Sequence, residues 1–110
     1  MKMVKYVESI DEFKEYVGSG KVVMDFYAEW CGPCKMLTPV LEEVSKKLEG
    51  QVRIVKCDID KFPEIASAFK VMSVPTLIYF QDGKAITAMS GYMPEPQLLN
   101  WISEAQKKAA

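Results

Sequence analysis

Two of the three cysteines, Cys31 and Cys34, are separated only by Gly32 and Pro33. They follow an apolar run and precede a segment with helical periodicity, so they stand where a helix begins. Residues three apart in a first helical turn face the same way, which lets the two sulfur atoms meet. The unpaired N–H groups of the helix N-terminus favour a thiolate at Cys31. Pro33 presets the helical φ angle and has no N–H group to lose.

Three kinds of site are compatible with such a pair: a structural cross-link, half of a zinc site and a redox centre. A cross-link would stabilise the fold little, because the loop that it closes is minimal. A zinc site would need a second pair of ligands, whereas Cys57 is alone and histidine is absent. A Cys-x-x-Cys motif beside a βαβ pattern is typical of a redox centre, so the sequence favours thiol–disulfide exchange.

The composition excludes several other functions. The 110 residues contain 14 Lys+Arg and 15 Asp+Glu, whereas a nucleic-acid-binding surface is normally rich in basic side chains. The lack of histidine excludes nucleophile pairs and metal sites that depend on imidazole. No apolar run is long enough to span a membrane, and charges interrupt the N-terminus before a signal-peptide core can form. We expect a cytoplasmic protein that binds neither nucleic acid nor membrane, although a secreted chain after signal removal would look the same.

The spacing of apolar residues predicts the elements that position the cysteines. Strands are predicted at residues 3–7, 22–28, 52–57, 76–80 and 85–89. Helices are predicted after the capping box at residues 9–12, over 33–48 and 63–69, and around 98–105. Asp82-Gly83 predicts a type I′ hairpin turn, and Pro39 lies inside the long helix. The order βαβαβαββα predicts a single α/β domain over residues 1–110, a five-stranded mixed sheet with helices on both faces.

The residues around the cysteines closely resemble the thioredoxin family. Residues 25–29 are DFYAE, residues 30–35 are WCGPCK and residues 74–76 are VPT. Together with the proline of the long helix and Gly91 before the last helix, the resemblance covers essentially the whole chain. It implies a thioredoxin fold and a general protein-disulfide reductant that cycles between a dithiol and a Cys31–Cys34 disulfide.

In such a reductant, Cys31 would attack a substrate disulfide to give a mixed disulfide, and Cys34 would then attack Cys31 and release the substrate. We assign this order because a cysteine ahead of the helix should be reachable and one inside the helix shielded. The resemblance further implies that Asp25 is a buried acid with a raised pKa, which accepts the Cys34 proton, and that Lys56 lies near it. From the residues alone, Asp25 could instead reach the sheet edge or be neutralised by a lysine, and Lys56 could be an edge charge.

The resemblance also implies a docking surface for substrates. Pro75 would follow a cis peptide bond, so that the backbone of Val74 pairs with an extended substrate segment. A flat and weakly polar patch would surround the cysteines, formed by Trp30, Gly32, Pro33, Val74, Pro75, Gly91 and Tyr92. Tyr27, where many thioredoxins have tryptophan, and the large Tyr92 depart from the family and are expected to affect partner choice.

Partners follow from the same resemblance. The chain would reduce disulfide-containing proteins as a monomer, bind no cofactor or metal, and be recharged by an NADPH-driven thioredoxin reductase, a separate flavoenzyme. It has no Gly-x-Gly-x-x-Gly motif for a nicotinamide site of its own.

Two alternatives stay open: a non-catalytic binding or scaffold subunit, and an oxidase or isomerase domain of an oxidising compartment. Gly-Pro between the cysteines, rather than a pair that contains histidine, disfavours the oxidase. Cys57 is interpreted as a core residue rather than a regulatory thiol.

Overall fold

The chain folds into one mixed sheet that carries helices on both faces. A computed structural model describes residues 4–110. Its strands are β1 (Lys5–Tyr6), β2 (Lys21–Tyr27), β3 (Arg53–Asp58), β4 (Thr76–Gln81) and β5 (Lys84–Ser90). Its helices are α1 (Ile10–Val17), α2 (Gly32–Lys47), α3 (Pro63–Ala68) and α4 (Glu95–Ala109). The predicted order of elements is confirmed. The predicted first strand began at Met3, which lies outside the described residues, and β1 is shorter than expected.

The strands lie in the order β1-β3-β2-β4-β5. Both β1 and β2 run parallel to β3, while β4 is antiparallel to β2 and to β5. The prediction of a mixed sheet is therefore confirmed. Strand β2 occupies the centre, and six of its seven residues are buried. This agrees with its nearly continuous apolar sequence, because a strand covered on both faces has no polar side.

Alternate residues of β2 divide the core between the two faces of the sheet. Val23 packs in a cluster with residues of α2 and α4, including Leu37 and Leu98. Met24 and Phe26 pack on the other face, in a cluster with residues of α1 and α3. Asp25 is two residues from Val23 and so shares its face of the sheet. The alternation thus places a carboxyl group beneath α2, the helix that carries Cys34.

Local sequence signals account for several element ends. The Ser9 hydroxyl accepts a hydrogen bond from the Glu12 N–H at 3.0 Å and caps α1. The Glu12 carboxylate accepts from the Glu8 N–H instead of the Ser9 N–H, so only half of the predicted capping box forms. Asp82 and Gly83 both have positive φ, 50° and 89°, as a type I′ turn requires. Within residues 4–110, no helix combines the length and apolar character needed to cross a bilayer.

Candidate active site

The two cysteines lie at the N-terminus of α2 and form a disulfide, with Cα atoms 5.3 Å apart. Cys31 is the N-cap residue, and its Sγ accepts a hydrogen bond from the Cys34 N–H at 3.2 Å. Pro33 occupies the first turn of the helix. Because this N–H group points at the sulfur of Cys31, the helix terminus favours negative charge at Cys31 once the disulfide is reduced.

Both cysteines are buried, with 4% of Cys31 and 1% of Cys34 exposed. We expected a reachable Cys31 and a shielded Cys34, but in this oxidised state the exposed fractions of the two residues differ little. The physical reason is that Cys31 packs in a cluster with Ala28 and Val74. The two sulfur atoms are therefore distinguished by the N-cap position of Cys31 and not by their exposure.

Asp25 lies opposite Lys56 in the pairing of β2 with β3. Its side chain is fully buried, and within the described residues neither carboxyl oxygen has a hydrogen-bond partner. Lys56 Nζ lies 3.8 Å from Asp25 Oδ2, which is an ion-pair distance but too long for a hydrogen bond. Burial raises the pKa of Asp25 to about 7, although the charge of Lys56 opposes this rise. A carboxyl group with this pKa can gain or lose a proton near neutral pH.

The ammonium group of Lys56 has further partners that were not predicted from the sequence. Its Nζ donates to Thr38 Oγ1 at 2.8 Å, and Thr38 Oγ1 in turn donates to the Cys34 carbonyl oxygen at 3.2 Å. The ring centroids of Tyr27 and Tyr6 lie 4.5 and 5.7 Å from Nζ. The sequence did contain a signal that Thr38 lies near the site, because Thr38 follows Cys34 by one helical turn. Tyr6 is the pairing partner of Lys56 on β1, which the sequence alone could not show.

The segment that precedes β4 lies against the cysteines. The Val74–Pro75 peptide bond is cis, as the resemblance implies. The carbonyl oxygen of Val74 is 3.7 Å from Cys31 Sγ. The Gly91 N–H donates to the Pro75 carbonyl oxygen at 2.8 Å, which fastens the start of the last loop to this segment. Gly91 has φ of 96°, a conformation that side chains with a Cβ atom disfavour.

Large apolar side chains are exposed next to the cysteine pair in the sequence and on the loop that follows β5. Trp30 is 69% exposed, as its position beside Cys31 predicts, and its Nε1 donates to Asp60 Oδ2 at 2.9 Å. Met36 and Tyr92 are also exposed, and so are Gly32 and Pro33. Scattered exposed apolar residues are ordinary, but several around one chemical group are typical of an interaction surface.

Within residues 4–110, no three side chains of the His, Cys, Asp and Glu types come together in a way that could hold a metal ion. The geometry defines a class of protein, the thiol–disulfide oxidoreductases. A pair of cysteines at a helix N-terminus can exchange one disulfide, and a buried acid on the adjoining sheet face can exchange a proton.

Comparisons with known proteins identify the family within this class. The thioredoxin family model matches residues 4–104. A thioredoxin of Staphylococcus saprophyticus is 42% identical over 104 residues, which are 94% of this chain and 98% of that protein. A thioredoxin of Staphylococcus haemolyticus is 45% identical over 98 residues, 89% of this chain and 92% of that protein. Among solved structures, the thioredoxin of Malassezia sympodialis has a TM-score of 0.86 and 34% identity, and the alignment covers 96% of this chain and 92% of that one.

The chain belongs to the thioredoxin family. Its fold is the thioredoxin fold, and its activity is that of a protein-disulfide reductant. These predictions from the sequence are confirmed.

Proposed function

We propose that the protein reduces disulfides of other proteins in the cytoplasm as a monomer with a single domain, and that an NADPH-driven flavoenzyme of the thioredoxin reductase type recharges it. The observation that carries the proposal is the Cys31–Cys34 disulfide at the N-terminus of α2, with the Val74 carbonyl beside Cys31 Sγ. The balance of charge, with no excess of basic residues, supports a protein partner rather than nucleic acid.

The reaction begins from the reduced dithiol. The Cys31 thiolate attacks one sulfur of a substrate disulfide, so that a mixed disulfide forms and the other substrate sulfur leaves as a thiolate. The Cys34 thiol then gives its proton to Asp25, and its sulfur attacks Cys31 Sγ. The mixed disulfide breaks, and the second substrate sulfur leaves. The first leaving thiolate takes up a proton from water, and the second takes up the proton held by Asp25. The substrate has then gained two electrons and two protons, and the protein holds the Cys31–Cys34 disulfide.

Asp25 supports the second step because its pKa lies near neutral pH. An acid with an ordinary pKa would be a weak acceptor for a thiol proton, whereas one near 7 matches the working pH more closely. Lys56 is the positive charge that stabilises the carboxylate once it has formed. We propose both residues as members of the catalytic site.

Docking of the substrate uses the surface around Cys31. We propose that the backbone of Val74, which precedes Pro75, pairs with an extended substrate segment, as in strand addition. Trp30, Gly32 and Pro33 extend this surface on one side of the segment, and the loop with Gly91 and Tyr92 extends it on the other. An extended segment pairs through its backbone, so the surface accepts substrates with different side chains.

The reductant function is tested by the reduction of a disulfide-bonded test protein with dithiothreitol as the electron source. We expect the wild type to accelerate the reaction and the Cys31→Ser variant to lose the acceleration. Cys57→Ser is the matched control, because Cys57 is a buried free cysteine outside the pair and its loss should leave turnover unchanged. A correctly folded, reduced wild type without catalysis would support a binding or scaffold role instead.

The docking surface yields a second prediction. Trp30→Ala is expected to raise KM for a protein substrate about tenfold, because exposed tryptophans often contribute strongly to protein contacts. The kcat for a small disulfide should stay close to that of the wild type. Trp30→Phe is the control, since it keeps an apolar ring but loses the hydrogen bond to Asp60. Equal loss of activity toward protein and small substrates would show that Trp30 supports the cysteines rather than docking.

A further inference from the structure

The buried ammonium group of Lys56 is placed between a carboxylate and a hydroxyl group. Its distance to Asp25 Oδ2 is 3.8 Å, whereas its distance to Thr38 Oγ1 is 2.8 Å. Only 4% of the Lys56 side chain and none of the Asp25 side chain is exposed. In such a setting a direct charge-assisted hydrogen bond would be strong. The lysine nevertheless bonds to the neutral hydroxyl.

The hydroxyl of Thr38 is oriented to accept this bond. It has a single proton, which it donates to the carbonyl oxygen of Cys34 at 3.2 Å. Its lone pairs therefore remain for the Lys56 N–H. The result is a directed chain from the Lys56 ammonium through Thr38 to the backbone of Cys34, which ties the lysine to α2.

Two aromatic rings hold the same ammonium group. The Tyr27 centroid is 4.5 Å from Nζ and the Tyr6 centroid 5.7 Å, both within the range of cation–π attraction. Burial raises the pKa of both phenols, so both rings stay neutral at physiological pH. Tyr6 and Tyr27 also contact each other edge to face, with centroids 6.1 Å apart. The two rings thus pack against each other beside the Lys56 ammonium group.

We propose that Thr38 is a positioning residue which, together with the rings of Tyr6 and Tyr27, keeps the Lys56 ammonium out of hydrogen-bonding distance of Asp25 and so leaves that carboxyl group able to take up a proton during resolution. The proposal rests on the proposed role of Asp25 in the resolving step. It assigns a function to three residues, Thr38, Tyr6 and Tyr27, that have no part in the thiol exchange itself.

Other ionisable groups surround this cluster. Glu42 on α2 and Glu29 before α2 raise the pKa of Tyr6 in addition to burial, and Asp58 on β3 raises that of Tyr27. Cys57, also on β3, has its pKa raised by burial and then by Asp58 and Asp25. Within residues 4–110, burial and Lys56 are the two influences on the pKa of Asp25. Lys56 is therefore the charge whose distance from Asp25 can change the pKa of Asp25. Thr38 sets this distance by holding the Lys56 ammonium group.

The test compares Thr38→Val with Thr38→Ser in the oxidised protein. Valine has the shape of threonine without an acceptor, whereas serine keeps the hydroxyl. The readout is the titration midpoint of the Asp25 carboxyl carbon, followed by NMR. If Lys56 approaches Asp25 from 3.8 Å to about 2.8 Å, Coulomb attraction at an effective dielectric constant of about 20 lowers the midpoint by about one pH unit. We expect this shift with valine and a midpoint close to the wild type with serine.

Thr38→Ala provides a second variant in case valine disturbs the packing of α2. An unchanged or higher midpoint in both Thr38→Val and Thr38→Ala would overturn the proposal, and so would a serine variant that behaves like valine. The role of Asp25 is checked separately by the rate at which Asp25→Asn resolves a mixed disulfide. A wild-type rate there would refute the proposed role of Asp25, while the NMR midpoints would still decide whether Thr38 positions Lys56.

Discussion

Replacement of Cys34 by serine is expected to stop turnover and to leave the protein covalently attached to its substrates. The Cys31 thiolate can still attack, but no second thiol at the start of α2 can break the mixed disulfide. The hydroxyl of serine is almost fully protonated at neutral pH and does not replace a thiolate. The adduct is measured by non-reducing electrophoresis and mass spectrometry after incubation with a disulfide-bonded protein. We expect it to be abundant and to disappear when dithiothreitol is added.

The matched variant is Cys31→Ser, which should neither turn over nor form the adduct. This comparison matters because the exposed fractions of the two cysteines differ little, 4% against 1%. The assignment depends instead on the N-cap position of Cys31, whose sulfur accepts the Cys34 N–H. If Cys31→Ser accumulates the mixed disulfide and Cys34→Ser does not, the two roles are inverted.

The Asp25→Asn variant is expected to be more stable than the wild type at neutral and alkaline pH. The folded protein raises the pKa of Asp25 from 3.8 to about 7, mainly because the carboxylate is buried. The unfolded chain then loses its proton at lower pH than the folded one, so ionisation favours unfolding. The contribution of the protonated Asp25 is complete below about pH 4 and is lost as pH rises through about 7. Asparagine has no such charge to bury.

The full loss of the contribution of protonated Asp25 corresponds to about 4 kcal/mol in the free energy of unfolding. This value is an upper bound on the stabilisation by Asp25→Asn, because Lys56 loses its counter-ion in the variant. Denaturant unfolding of the oxidised protein from about pH 4 to about pH 8 measures the difference, which should vanish at the acid end. A difference in the free energy of unfolding that stays constant over this range would show that Asp25 does not titrate near neutrality in the folded state.

The same variant should slow resolution more than the initial attack. Loss of a general base typically costs a factor of about 100 or more, whereas the attack by Cys31 does not use Asp25. Stopped-flow measurement of mixed-disulfide formation and decay separates the two rates. Equal slowing of both steps would indicate that Asp25 acts through its charge or through the structure, and not as a proton acceptor.

Features that depend on neighbouring residues in the sequence could be predicted well. The turn at Asp82-Gly83, the buried character of β2 and the cysteine pair at a helix start each follow from a few consecutive residues. The buried faces of the helices also follow, since Leu98, Trp101, Ile102 and Ala105 recur at helical spacing and all four are buried. The relation of Asp25 to Lys56 required the family resemblance, because residue types alone left an edge position open for both.

Features that depend on packing between distant elements could not be predicted. The hydrogen bond between Lys56 and Thr38 joins β3 to α2. It forms only because the fold packs α2 on the sheet with Thr38 beside Lys56. The contact of Tyr6 with Lys56 likewise depends on the register of β1 against β3. The burial of Cys31 results from Ala28 and Val74, which approach it from different segments. None of these contacts leaves a periodic signal in the sequence.

The remaining cysteine has a practical consequence. Cys57 lies in β3, between β1 and β2, is fully buried, and has its pKa raised to about 12, first by burial and then by nearby carboxylates. Alkylating reagents react with thiolates, so the Cys57 sulfur stays unreactive for as long as the sheet remains intact. A count of labelled cysteines in the reduced protein therefore distinguishes molecules in which only the active pair has reacted from molecules whose sheet has opened. Cys57 is thus an internal reporter of global unfolding, one that needs no engineered cysteine.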